Sequence, residues 1–236
     1  MGLPLLNVAK YDLKLPLSGE EIQYRPFLVK EEKVLLQAME GNNEKEILKA
    51  LKQILTQCID TESFNVNTMA MVDLEYVFLK MRAKSVGDKS TIVFVHKPGE
   101  CEQKIKIEID LNEVKVTENN NQSDTVKLTD DVQLRLKPPT VDILSKINNL
   151  SDIDLAFTMI RNCITEIYFK DELFAVKDHT LKEVDDFINS LSSAQFAKLK
   201  DFFDGLPVLK HEIEYTCPKC GVTETRTIQG VNSFFG

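Results

Sequence analysis

Residues 213–221 read IEYTCPKCG, an alternating strand that runs straight into Cys217-Pro218-Lys219-Cys220-Gly221. Two thiols separated by a tight turn can grip one tetrahedral ion, and Pro and Gly permit that turn with backbone N–H groups facing the sulfurs. A redox C-x-x-C places its first cysteine at a helix N-terminus after a strand. Here Gly221 and the β-rich residues 222–228 follow instead, so the segment reads as a zinc-knuckle-like β-hairpin.

The same pattern occurs earlier. Residues 92–100, IVFVHKPGE, align with 213–221 and set His96 opposite Cys217 and Gly99 opposite Cys220. Each tip carries a Pro and a Gly, and each follows an alternating strand. A structural zinc site needs four ligands. The aligned hairpin offers His96 and Cys101 as the other half, with His211 a weaker option. One structural Zn and a metal-free turn with two reduced thiols both remain open.

Working outward, both halves run helix, loop, helix, a Gly or Pro break, then a hairpin. KALKQILTQCID (49–60) resembles AFTMIRNCITEI (156–167). The expected class is α+β, with two similar halves, each a few helices plus a β-hairpin. The halves are 1–140, with an N-terminal hairpin, helices and a β-rich segment, and 141–236, helical and ending in the C-x-x-C hairpin. Tyr11, Leu13 and Leu15, then Ile22 and Tyr24 after Ser18-Gly19, predict the N-terminal hairpin. Pro26 opens a helical pattern that Gly41 ends, and Asn43 with Glu46 caps the next. A third helix runs through Leu74, Val77, Phe78 and Met81. Strands are expected over 91–96, 104–109, 126–128 and 132–136, with a polar loop over 118–124. Ile153, Ile160, Cys163, Ile164 and Ile167 read as one helical stripe. Thr180 with Glu183 forms a capping box, and Phe196, Leu199, Phe202 and Phe203 make a last helical stripe.

The charge of −8 over 236 residues disfavours phosphate backbones, and the lysines are interspersed with acids, as in Lys30-Glu31-Glu32-Lys33. No apolar run approaches a membrane span, and the N-terminus lacks a signal-peptide pattern. The expected location is the cytosol in which the chain is made. An odd count of five cysteines argues against a disulfide framework. Cys58 and Cys163 sit on apolar stripes as small hydrophobes. With three histidines and no nucleophile–base, P-loop or dinucleotide motif, neither an enzyme nor a small-molecule substrate is expected.

Residues 3–40, LPLLNVAKYDLKLPLSGEEIQYRPFLVKEEKVLLQAME, and 73–87, DLEYVFLKMRAKSVG, resemble the baseplate hub assembly proteins of T-even-like contractile-tailed phages. YRPFLVKEEK (24–33), RAKSVG (82–87) and the CPKCG hairpin carry the likeness most clearly. The resemblance implies a late-expressed, chaperone-like factor for the tail baseplate hub. It would contact hub proteins and the tail tape measure, through protein surfaces alone. A permanent structural subunit of the hub is the nearer alternative. A zinc-ribbon adaptor in transcription or replication is the other. Candidate partner contacts are Arg25, Phe27 and Lys30 in the family-like segment and the terminal pair Phe234 and Phe235.

Overall fold

The computed structural model describes residues 6–41, 43–62, 64–97, 101–120, 123–146 and 151–230. The chain is mixed α+β, and every strand pairing among the described residues is antiparallel. In order the elements are β1 (Tyr11–Lys14), β2 (Glu21–Tyr24), α1 (Val29–Glu40), α2 (Glu44–Cys58) and α3 (Met71–Ser85). Then come β3 (Lys89–His96), β4 (Gln103–Asp110), β5 (Lys115–Val116), β6 (Thr125–Lys127), β7 (Val132–Leu136), α4 (Val141–Lys146) and α5 (Asp152–Cys163). The remainder is β8 (Ile164–Phe169), β9 (Glu172–Ala175), a 3-10 turn (Val176–Asp178), α6 (Leu181–Asn189), α7 (Ser193–Asp204), β10 (Leu209–Thr216) and β11 (Thr223–Gln229). None of the described helices is long and apolar enough to cross a membrane.

Contacts group the chain into two compact units. The first holds Met1–Val66, Val72–Thr117 and Val208–Gly236; the second holds Asn67–Met71 and Glu118–Pro207. The expected division at 140/141 follows sequence order; contacts place the last hairpin in one unit with residues 1–66 and 72–117. The physical reason is strand pairing. β10 lies beside β5, with Leu209 opposite Val116 and Lys210 opposite Lys115.

In the first unit, α3 holds the N-terminal hairpin. The carboxylate of Asp73 is 1% exposed and accepts from the backbone N–H of Leu17 at 2.8 Å and of Ser18 at 3.1 Å. Phe27 is buried and stacks on Phe78 at 6.0 Å, while its N–H donates to Ser85 Oγ at 2.9 Å. The family-like segments 24–33 and 73–87 therefore pack on each other. Each fully buried large apolar side chain contributes about 1.5–3 kcal/mol.

The hairpins β3–β4 and β10–β11 share one core. It contains Ile92, Phe94, Ile105, Ile109, Ile213, Tyr215 and Ile228, with Leu79 of α3 packed among them. The second unit has its own core around the sheet β6-β7-β8-β9, built by Leu134, Leu136, Ile160, Ile164, Val184, Ile188, Leu199 and Phe202. The helices that precede the two hairpins thus serve different cores, α3 that of the hairpins and α7 the other.

Local rules explain most element ends. Thr180 and Glu183 make the expected capping box of α6, and Ser192 with Gln195 makes another for α7. Asn43 caps α2 by accepting from Lys45 N–H. Leu28 has no side-chain acceptor to cap α1, so only the reach-back survives: Glu31 Oε2 accepts from Leu28 N–H at 2.8 Å. One expectation is corrected. Ile164 and Ile167 are not on the α5 helix, which ends at Cys163; they open and line β8. β-branched and aromatic residues dominate ITEIYF and favour a pleated strand, and β7 and β9 flank it on both sides.

Candidate metal centre

Strand alternation builds the site. On β3 the residues Ile92, Phe94 and His96 face inward, and on the β10 side Ile213, Tyr215 and Cys217 do the same. These are the pairs that the alignment of 92–100 with 213–221 sets opposite each other. Phe94 and Tyr215 meet edge to face at 4.9 Å, and the His96 ring meets Tyr215 at 5.6 Å. Packing of the two strand faces thus carries His96 and Cys217 to the same end of the shared core.

The loops after these strands supply the other two groups. β3 ends at His96 and β4 begins at Gln103; β10 ends at Thr216 and β11 begins at Thr223, so the intervals are equal. Cys101 lies in the first loop and Cys220 in the second. Pro98, Gly99 and Glu100 lie outside the described residues. In the second loop Gly221 N–H donates to the Cys217 carbonyl and Cys217 N–H donates to the Val222 carbonyl, both at 2.9 Å. This closure needs a left-handed residue, and Gly221 takes φ +72°.

One ligand atom from each of His96, Cys101, Cys217 and Cys220 lies within 4.8 Å of the others. His96 Nε2 is 3.2 Å from Cys220 Sγ, and Cys101 Sγ is 3.9 Å from Cys217 Sγ. Ligands around a tetrahedral zinc stand roughly 3.5–3.8 Å apart, given Zn–S near 2.3 Å and Zn–N near 2.0 Å. His211 is not among the four; it sits on β10 opposite Ile228.

The far side of His96 is equally ordered. Nδ1 lies 2.8 Å from Tyr215 Oη and 3.0 Å from Glu224 Oε2, and Tyr215 O–H donates to Glu224 Oε2 at 2.8 Å. With the Tyr215 proton committed to the carboxylate, Nδ1 faces only acceptors and so carries the ring proton. In a neutral ring with that tautomer, Nε2 presents its lone pair toward Cys220. Burial, then the Glu224 carboxylate, pushes the Tyr215 phenol up to about 12, so it stays a donor. Burial and the neighbouring sulfurs push Cys101 up to about 11. Burial also opposes the Cys217 thiolate, but N–H groups of Cys220 and Lys219 outweigh it and lower that thiol below its usual value.

Sequence reading missed Tyr215 and Glu224. Both had a signal: Tyr215 is two residues before Cys217 on the same strand face, and hairpin register sets Glu224 opposite it. Cys58 and Cys163, read as buried hydrophobes, are buried at the ends of α2 and α5, and burial raises their thiols to about 11 and about 12.

The proposed partner contacts have diverse placements. Arg25 is engaged within the fold, donating to the Pro26 and Gln57 carbonyls and to Glu31 Oε1. Phe27 is in the core. The Lys30 side chain is 70% exposed. Phe234 and Phe235 lie outside the described residues.

No solved structure matches the chain. The family described as T4 bacteriophage base plate protein matches residues 8–236. The chain belongs to that base plate protein family. Among its relatives is baseplate hub assembly protein gp26 of Enterobacteria phage T4, 23% identical over 226 residues, covering 96% of this chain and 97% of that protein. The base plate family match runs through both hairpins and so through all four clustered ligand residues. It also spans 24–33 and 82–87, the segments on which the resemblance was read.

Proposed function

We propose that this base plate family member is an assembly factor for the baseplate hub, chaperone-like, acting by protein–protein contact and not by catalysis. The observation that carries the reading is near end-to-end similarity to a hub assembly protein. Its partners would be hub proteins and the tail tape measure, met in the host cell cytoplasm. The net charge of −8 counts against a nucleic-acid adaptor.

The partner surface we assign is the outer face of α1. Val29 is 80% exposed and Leu36 55% exposed, with Lys30 beside Val29, so apolar bulk and charge meet on one surface. Arg25 and Phe27 shape this face from behind, by fixing the start of the helix. The cluster of His96, Cys101, Cys217 and Cys220 fits one structural zinc ion. The paired inward residues of β3 and β10 support a duplication of the hairpins.

Fractionation of infected cells tests the function. The chain is expected with free hub intermediates and absent from finished particles. Stoichiometric presence in purified particles would instead make it a permanent hub subunit, and recovery on nucleic acid would overturn both.

A further inference from the structure

We infer that His96, Cys101, Cys217 and Cys220 form a three-thiolate, one-imidazole site for a single zinc ion, with Glu224 and Tyr215 as its outer shell. The inference rests on the reading of this cluster as a structural zinc site, and adds which ring nitrogen binds, what holds it, and what the site joins. Thiolate-rich donors with one imidazole, spaced for a tetrahedron, suit zinc and not magnesium or calcium.

The orientation of His96 is the decisive feature. Its ring is 1% exposed, so it cannot turn freely between partners. Nδ1 is fixed by Tyr215 Oη and Glu224 Oε2, which leaves Nε2 as the only ring nitrogen aimed at the sulfurs. An imidazole whose free N–H is held by a carboxylate is a more basic and better oriented ligand. Glu224 is therefore a positioning residue that never touches the ion. Tyr215 connects the two layers: it packs on Phe94, meets His96, and donates to Glu224.

The site also explains how two hairpins distant in sequence are locked together. Cys217 and Cys220 come from the loop after β10, and His96 from the end of β3 with Cys101 from the loop that follows it. Among the described residues, the β3–β4 pair and the β11-β10-β5 sheet share no strand pairing. Apolar packing is non-directional and tolerates sliding; four coordinate bonds do not. The ion would fix the register of one hairpin against the other at the end where the loops emerge.

The test uses the full chain, purified without chelator. Metal analysis should give one zinc per chain. Cobalt(II) added to the zinc-free protein should show the visible bands of a tetrahedral, thiolate-rich site. Zinc affinity, measured by competition against a chromophoric chelator, should fall about 10–100-fold in Glu224→Gln, with Glu224→Asp recovering part of the loss. His96→Cys should keep a tetrahedral cobalt spectrum with stronger sulfur character, because the site geometry survives the change of donor. Absence of both zinc and a tetrahedral cobalt spectrum in the wild type overturns the zinc site itself. One zinc in the wild type with unchanged affinity in Glu224→Gln overturns the outer-shell assignment alone. Neither result depends on hub assembly, so the assembly reading stands or falls separately.

Discussion

Glu31 brings a carboxylate into the interior at the start of α1, with 1% of its surface exposed. Burial alone would raise its pKa, but the Arg25 guanidinium at 3.0 Å and the Leu28 N–H at 2.8 Å more than offset that, and the group titrates below its ordinary value. A folded pKa lower than the unfolded one stabilises the protein above the unfolded value, near 4.3, and that stability is lost as pH falls through the folded value. Acid unfolding of the wild type should therefore steepen in this window, and Glu31→Gln should flatten the curve there, as followed by thermal melts at stepped pH. Arg25→Ala leaves the carboxylate buried without its main partner. That should cost about 3 kcal/mol, the low end for breaking a buried pair, since Arg25 is itself about one-fifth exposed. The same contacts were out of reach of sequence: the carbonyl and carboxylate partners of Arg25 are known only from the fold.

At the scale of elements, the clearest local device is the Thr180–Glu183 box. Thr180 Oγ1 accepts from Glu183 N–H, and Glu183 reaches back to Thr180 N–H at 2.7 Å. Thr180→Ala should lower stability by about 1 kcal/mol, read as the shift in urea midpoint at unchanged slope. Asp73 works between elements, since one carboxylate caps two N–H groups of the N-terminal turn. Asp73→Ala should cost more, about 1.5–3 kcal/mol, because two part-buried donors lose their charged acceptor. The outer face of α1 makes the opposite prediction. Leu36→Asp should change stability by less than about 0.5 kcal/mol, as for other exposed positions, yet reduce co-purification with hub proteins. Equal loss of stability and binding would return Leu36 to a purely structural role. Element types were legible wherever a period was long and capped, as in α6 and α7. β8 was not, because a strand that begins at the residue after a helix continues the same apolar run. Ile160, Cys163, Ile164 and Ile167 satisfy helical spacing, and only pairing with β7 and β9 makes the last two residues strand.

At the scale of the whole molecule, the C-terminal residues give a further test. Truncation after Val231 removes Phe234 and Phe235, read in sequence as partner contacts. Docking aromatics should leave thermal stability unchanged and cost about 2–4 kcal/mol of binding, measured by co-purification with hub proteins. Loss of stability instead assigns the pair to the chain's own core. Sequence alone established the α+β class, the capped helices, and half of the candidate cluster, Cys217 and Cys220. Those features rest on periodicity and on residues a few positions apart, and local chemistry suffices for them. It also supplied the candidate second half, through the likeness of residues 92–100 to 213–221. Three facts came from the fold: the two halves of the cluster meet, Tyr215 and Glu224 stand behind His96, and β10 joins β5 in one unit. Those facts depend on which faces pack together across more than a hundred residues of chain, a choice made by the shared burial of Phe94, Ile213 and their neighbours and not by any local pattern.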